Sequence, residues 1–540
     1  MPSIKIDGRD VPFEPGDTVM RAAYRAGIEI PHYCWHPGLS SPANCRMCLV
    51  DILPPPGRPA LRLDILEWSA EKNDYVVAQK SKLQPACYMQ ATDGMEVLSD
   101  TSDEVAKARA AIQELLLLNH PVDCPICDQA GECKLQDYWL LHQRSKKRMC
   151  DEPVHKPKAV VFGPTIVYDA ERCVMCTRCI RVCDEVAQDP VLDMRERGNR
   201  NEITVAPGRQ LDHGYSLMTE HVCPVGALTS SHFRFKARVW FLRSARTVCQ
   251  ECATGCNAHL DYDPRDNLPY RYRPRDNEAV NKYWMCDEGM LSYGRATAGR
   301  MLGAHVGGDD ASIDEALRAA KDHLRGCDPE RVAIVLSAQH SQEDNFALLT
   351  LGREYLRATD VFVARRPDGL GDKVLRHVDK NPNGAGVKAL VGGDGPRPLA
   401  ELVAAVQKGR YSHVLALGHD VDVDVAAMKS AFAGLAGSVV IASHDGPLTA
   451  ALRVALPACA WTETGGTYVN AQGMAQATEQ VLRPRGDARP GWELVARLGR
   501  ALGFAIPWKT HKELARAMRG AAGTETTHAT AGAAAAEVAP

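Results

Sequence analysis

No apolar run in this chain approaches the roughly 18 residues needed to cross a bilayer; Val332–Leu336 and Leu402–Val406 are typical of the longer ones. A chain without membrane spans is expected. Neither sign of charge predominates, with 64 Lys and Arg against 67 Asp and Glu. Nothing therefore marks a surface for nucleic acid or anionic lipid. The opening residues, MPSIKIDGRDV, have no charged region ahead of an apolar stretch and no Arg-rich amphipathic pattern. Neither export nor organelle import is expected. No G-x-G-x-x-G follows a strand pattern, and Gly392-Gly393-Asp394-Gly395-Pro396 reads as a surface turn.

What the chain does have is cysteine: 19 in 540 residues. Tight C-x2-C pairs in a large unexported chain favour metal binding over disulfides, which suit small secreted scaffolds. Fifteen of the 19 cysteines, with one histidine, fall into four consecutive groups of four. These are Cys34, Cys45, Cys48 and Cys87; His120, Cys124, Cys127 and Cys133; Cys173, Cys176, Cys179 and Cys223; and Cys249, Cys252, Cys256 and Cys286. Iron–sulfur centres are held by thiolates, and a C-x2-C loop lets two converge while nearby amides solvate the sulfurs. Four such sites in series, with no substrate-converting centre beside them, point to a conductor of electrons.

The first group suits a [2Fe-2S] site of ferredoxin type, with Pro42, Ala43, Asn44, Arg46 and Met47 forming the loop around it. Cys87 is the most distant ligand, and an inserted hairpin carrying the proline-rich loop 52–60 explains the gap after Cys48. The second group has one imidazole and three thiolates, a set that zinc also binds. Its neighbours favour a [4Fe-4S] cluster. A neutral imidazole in place of a thiolate makes such a cluster easier to reduce. The third group is a bacterial ferredoxin run completed by Cys223, and the fourth suits another [4Fe-4S] cluster, with a zinc ribbon as the alternative.

In two-cluster ferredoxins each triad takes its fourth ligand from the other motif. Cys183 completes C-x2-C-x2-C-x3-C, so its own cluster needs a triad at positions 213, 216 and 219, which hold His213, Ser216 and Thr219. Cys183 is therefore expected to be a buried free thiol. Cys150, Cys327 and Cys459 have no partner at useful spacing and read as packed or exposed thiols.

Between these groups, residues 3–30 read as strand, turn, strand and helix, a ferredoxin-like opening. A helix is predicted over 102–119, with Val105, Ala108, Ile112, Leu115 and Leu116 recurring on one face and His120 at its end. Beyond Gly299 helices and strands alternate, as in a parallel α/β sheet covered on both faces.

The stretches LLLLNHPVDCPICDQAGECKLQ (115–136), Arg172-Cys173-Val-Met-Cys176-Thr-Arg-Cys179 and Cys223-Pro-Val-Gly-Ala-Leu-Thr229 resemble the large iron–sulfur subunit of NADH:quinone oxidoreductase, respiratory complex I, of the type called the G subunit in bacteria. The resemblance is specific up to about residue 300 and weaker at Glu463-Thr-Gly-Gly-Thr-Tyr-Val-Asn-Ala-Gln-Gly473. It implies α+β ferredoxin-like cluster domains followed by an α/β molybdopterin-oxidoreductase-like domain lacking its cofactor. The expected divisions are 1–101 ([2Fe-2S]), 102–143 (the cluster with one histidine ligand), 144–241 (ferredoxin-like), 242–298 (fourth cluster), 299–520 (truncated α/β domain) and 521–540, a disordered tail.

The implied cofactors are one [2Fe-2S] and three [4Fe-4S] clusters, without molybdopterin. The implied work is electron transfer from a flavin-bearing NADH-oxidising subunit toward quinone, among the other peripheral-arm subunits. That would place the chain on the cytoplasmic side of a bacterial inner membrane. The fourth cluster would lie off the main route. With no flavin, nicotinamide or quinone motif, the chain alone is not expected to oxidise NADH. The alternatives are the iron–sulfur subunit of an NAD-linked formate dehydrogenase, a soluble hydrogenase module, and a zinc-held scaffold. The Cys48–Cys87 gap, Cys183 and a short C-terminal part depart from the family pattern. Cys286-Asp287-Glu288-Gly289 also lacks the lysine that molybdenum enzymes place there.

Overall fold

A computed structural model describes residues 1–521 apart from Pro56 and Lys147. The tail expected at 521–540 lies outside the described residues, except that Ala521 closes a final helix, His511–Ala521. The chain forms two compact units, Met1–Trp240 and a second beginning at Phe241.

The first unit opens with strands β1 (Ser3–Ile6) and β2 (Arg9–Pro12), which turn at Asp7-Gly8, both at positive φ. The Asp7 carboxylate accepts the amides of Ser99, Asp100 and Thr101, and these bonds hold it below the usual carboxylate range against the opposing effect of burial. Helix α1 (Val19–Arg25) starts where the Thr18 hydroxyl accepts the Arg21 amide, and it buries Val19, Met20, Ala22 and Ala23. These pack on Ile4, Ile6, Val50 and Val97.

The strand β3 (Leu49–Leu53) takes in Ile52 and Leu53, so the irregular loop begins at Pro54 rather than at 52. The expected insertion follows as a hairpin of β4 (Arg62–Ser69) and β5 (Asp74–Ser81), eight residue pairs long. Its two-residue sequel β6 (Gln84–Pro85) returns to β3, and with β7 (Glu96–Leu98) completes a sheet ordered β2-β1-β7-β3-β6. The hairpin thus leaves and rejoins the sheet at neighbouring points, which carries Cys87 back beside Cys48.

Helix α2 (Asp103–Leu117) forms as predicted, capped by Ser102; of its apolar face Val105 is buried and Ala108, Ile112 and Leu116 are half-buried. Arg109 and Gln113 are buried with Val105, whereas Leu115 is 67% exposed. The buried polar groups are matched: Arg109 bonds Asp100 and Ser99, and Gln113 bonds the Tyr33 hydroxyl and the Leu135 carbonyl. A paired polar group tolerates burial, so the apolar stripe does not by itself mark the residues that lie deepest. The helix α3 (Lys134–His142) follows Cys133 directly.

In the second unit six parallel strands are ordered Val454–Pro457, Gly437–Ala442, His413–Leu417, Val332–Ser337, Val361–Ala364, Arg397–Pro398, with an antiparallel pair, Ala304–Val306 and Asp309–Ala311, at one edge. In chain order that is 6-5-4-1-2-3, the doubly wound arrangement. Alternate residues divide between two cores. Ile334, Leu336, Leu415 and Leu417 face one set of helices, and Ala333, Val335, Val414 and Ala416 the other. Burial on both faces explains why these strands are continuous apolar runs.

Candidate iron–sulfur sites

The first group is gathered by the loop after Tyr33. Ala43 and Arg46 take left-handed backbone, which bends the loop over the sulfurs and aims amides at them. Cys34 hydrogen-bonds Cys45 and Cys87, and Cys48 bonds Cys87. These thiol bonds, with the amides of Cys45 and Asn44, draw the Cys34 thiol down to about 2, while the same bonds push Cys45 and Cys87 up. Cys87, the most distant in sequence, touches both Cys34 and Cys48.

The second group lines one open cavity of about 680 Å³. α2 ends just before His120, and Cys133 is the cap residue of α3. Burial, reinforced by Arg172, lowers the His120 imidazole to about 4, so the ring is neutral and keeps a lone pair for a metal. Burial also pushes the Cys133 thiol up to about 11. A desolvated thiol of this kind ionises only beside a cation such as a bound metal. Around the cavity Val122 is 92% exposed, beside exposed Leu140.

Cys173, Cys176, Cys179 and Cys223 line a small enclosed cavity, walled by Tyr168 and Ile203. Met175 and Thr177 are left-handed, and the Met175 amide donates to the Cys173 sulfur at 3.4 Å. Burial lifts Cys173 to about 11 and Cys179 further. The last cysteine of this triad, Cys179, belongs to helix α4 (Arg178–Arg181), which continues as a π-helical turn over Val182–Ala187.

In the second unit Cys249, Cys252, Cys256 and Cys286 are all at most 5% exposed. The Cys249 amide donates to the Cys256 carbonyl at 2.8 Å, and the Cys286 sulfur accepts the Gly289 amide at 3.4 Å. A Cβ on Gly289 would stand 3.2 Å from the Cys249 sulfur, so the missing side chain makes room for the group.

Among the described residues no three His, Cys, Asp or Glu side chains converge closely enough to hold a single metal ion. A cubane asks for a wider ring, because each thiolate binds a different iron. Each of the four groups brings together the residues its spacing singled out, and thiols buried or partly buried in this way suit an iron–sulfur group.

Three of the groups adjoin one another. The Asn44 side-chain amide of the first group donates to the Met175 carbonyl of the third at 3.4 Å, and the Ser40 amide donates to Glu185 at 2.9 Å. The Lys134 amide, next to Cys133, donates to the carbonyl of Pro224, next to Cys223, at 3.0 Å. Gly226 lies so close to Cys127 that a Cβ there would be 2.4 Å from its sulfur. A side-chain route also joins the first group to the second: the Tyr33 ring meets Tyr138 edge-on at 5.2 Å.

Cys183 is buried, 3.3 Å from His213 Nε2. The Tyr215 amide donates to His213 Nδ1, so the neutral ring carries its proton on Nε2 and donates it to the sulfur. Burial pushes the Cys183 thiol up, and nothing activates it. Position 213 is the first of the three where a second triad would stand. Cys183→Ser is expected to leave iron content and every paramagnetic signal unchanged; loss of a [4Fe-4S] signal would make Cys183 a ligand. Of the remaining thiols Cys150 is exposed, Cys327 half-buried and Cys459 buried.

One cavity escaped the sequence reading. At the carboxyl ends of the parallel strands lies a space of about 630 Å³, lined by His340, His419, His444, Arg366, Lys380 and Cys459 among others. His340 follows the first parallel strand and His419 the fourth, the point where strand order reverses and doubly wound sheets bind ligands. The signal was present, since a polar residue follows each of these apolar runs within three positions. Lys380 donates to Glu288 at 3.0 Å, so a distant segment supplies a lysine to the loop that has none of its own.

Models of known families match four stretches: a 2Fe-2S iron–sulfur cluster binding domain over 2–102, the NADH-ubiquinone oxidoreductase-G iron–sulfur binding region over 109–148, the ferredoxin-like domain of NADH-quinone oxidoreductase subunit 3 over 163–229, and molybdopterin oxidoreductase over 341–501. The [2Fe-2S]- and [4Fe-4S]-binding domains are thus present, ahead of an α/β domain of molybdopterin-oxidoreductase type. The NADH-quinone oxidoreductase G subunit of Mycobacterium bovis is 32% identical over 377 residues, 68% of this chain and 43% of that protein. The Rickettsia felis protein of the same name is 34% identical over 355 residues, 65% of this chain and 49% of that protein. The chain therefore spans about half the length of the curated relatives it matches. A crystal structure of an NAD+-reducing [NiFe]-hydrogenase in the H2-reduced state matches 44% of this chain and 91% of that one, at 26% identity and a TM-score of 0.35.

Proposed function

We propose, from the premise that the iron–sulfur part of this chain belongs to the G-subunit family of NADH-quinone oxidoreductase, that the chain is an electron relay in the peripheral arm of such a complex. It would take electrons from a flavin-bearing NADH-oxidising subunit and pass them toward quinone. The observation that carries this reading is the adjacency of three cysteine groups within one compact unit, joined through ligand residues or their immediate neighbours. Clusters held there would supply one-electron carriers.

The chain's own residues set the rest. We assign Cys34, Cys45, Cys48 and Cys87 to a [2Fe-2S] cluster, and the His120, Cys173 and Cys249 groups to one [4Fe-4S] cluster each. The main-chain contacts favour the order first, third, second. The open cavity of the second group, rimmed by exposed apolar side chains, suits a face covered by a neighbouring subunit. The fourth group, in the other unit, would lie off this route. The divisions at residues 101, 143, 241 and 298 belong to the same proposal.

In this reading the α/β domain works without molybdopterin. Its cavity of about 630 Å³ is of the size that takes a single small ligand, about 300–1,000 Å³, and paired pterin dinucleotides exceed that. Arg295 and Arg366, which reach into it, are already paired with Glu251. No helix among the described residues is long and apolar enough to cross a membrane. In the relay reading the chain is held to the cytoplasmic side of a bacterial inner membrane through its partners.

Anaerobic reconstitution of the full chain is the direct test. It should yield about 14 irons per chain, two in the first group and four in each other, with four distinguishable paramagnetic centres. A preparation dominated by zinc would end the proposal.

A further inference from the structure

Two arginines on one turn of α4 tie the first group to the third. Arg181 is 8% exposed. Its Nη2 donates to the carbonyls of Cys34 at 2.5 Å and Cys176 at 3.2 Å, and its Nη1 donates to the Ser40 carbonyl at 2.5 Å. Arg178 donates to the carbonyl of Trp35, next to Cys34, and at 3.1 Å to that of Val222, next to Cys223. A planar guanidinium has a rigid fork of donors and stays charged when buried. Here the fork spans ligand residues of two different groups, and the acceptors are neutral carbonyls. Burial works against the Arg181 charge, while the sulfurs of Cys176 and Cys34 and, less strongly, the Glu185 carboxylate favour it; Glu185 is hydrogen-bonded to Ser40. Among the described residues no carboxylate bonds this guanidinium, whose charge sits between the two groups.

Resting on the relay reading above, we propose that Arg181, supported by Arg178, is a positioning residue for electron transfer between the first and third groups. It does two things. The fork fixes the two ligand loops against each other, and the charge stabilises the reduced form of whatever carrier each loop holds, raising both reduction potentials. The second group has no share in this fork and should not respond.

The experiment uses the reconstituted full chain, with wild-type iron content established first, so that failure of the relay reading shows there and not in the variants. Redox titrations followed by paramagnetic resonance then compare the wild type with R181M and R181K. A unit charge roughly 10 Å away at an effective dielectric of about 20 changes the reduced-to-oxidised ratio about tenfold, equivalent to about 59 mV for a one-electron couple. R181M should lower the first and third potentials by about that amount and leave the second and fourth in place. R181K, which keeps the charge and loses the fork, should hold wild-type potentials but pass electrons between the two groups more slowly after flash reduction. R181M with full iron and four unshifted potentials overturns the electrostatic role. If R181M does not load, R181K decides by itself: full loading with shifted potentials, or with an unchanged transfer rate, overturns the proposal.

Discussion

Cys179→Ala is expected to remove one [4Fe-4S] signal and about four of about 14 irons, and to bring NADH-to-quinone flow in the assembled complex to background. Cys179 lies 7% exposed on the α4 turn, walled in with Cys173, Cys176 and Cys223. A replacement with no thiolate leaves three thiolates in a space whose other polar lining side chains are the hydroxyls of Tyr168 and Thr177, with little access for solvent. The consequence for flow follows from position. The third group borders both the first, at Asn44 and Met175, and the second, at Pro224 and Gly226. Binding energy at a metal site of this kind is folding energy, of order 10 kcal/mol in small metal domains, so thermal unfolding should move down as well. Iron analysis, resonance spectra and flow in the complex are the measurements. Continued flow with the signal gone would reroute the relay along Tyr33 and Tyr138, straight from the first group to the second.

The other large effect needs only one methyl group. Gly226→Ala should cost the second group its cluster while leaving the first intact. The added Cβ would stand 2.4 Å from the Cys127 sulfur and 3.0 Å from the Gln129 Cβ. Cys127 has little room to yield, since its amide donates to the Asp123 carbonyl at 2.7 Å and its carbonyl accepts Arg238 at 2.6 Å. Overpacking at such a site costs about 1–3 kcal/mol, and a ligand sulfur displaced by an ångström no longer meets its iron. Iron should fall by about four per chain and the His120-group signal should vanish. Gly294→Ala is the control: nothing lies within 4 Å of its Cβ position, and it should load fully. An unchanged second-group signal in Gly226→Ala would show that the two loops are not in contact.

Gly226 shows where sequence reading stops. It stands in Cys223-Pro-Val-Gly226 as an ordinary residue after a ligand, and its reason is a sulfur 99 positions earlier. Arg178 and Arg181 were likewise letters between cysteines until their carbonyl partners at Cys34, Trp35, Cys176 and Val222 came into view. The two deepest polar residues of α2 were hidden for the same reason: Arg109 and Gln113 are buried because Asp100, Ser99, Tyr33 and Leu135 satisfy them, and those partners lie outside the helix. The second triad missing around Cys183, by contrast, could be located by counting alone, and the structure added only that His213 has moved in.

The sequence by itself determined which residues gather. Ligands two or three residues apart converge because a short loop can bend no other way, and alternating apolar runs must form a sheet buried on both faces. Cys87 and Cys223, though distant, were recognisable because their groups were short of one ligand each. Only the tertiary structure decided which groups adjoin, what lies between them, and that the strand ends open onto a histidine-lined cavity. Those relations depend on contacts between segments far apart in the chain. Their geometry is set by how the sheets and helices pack, and no local spacing encodes it.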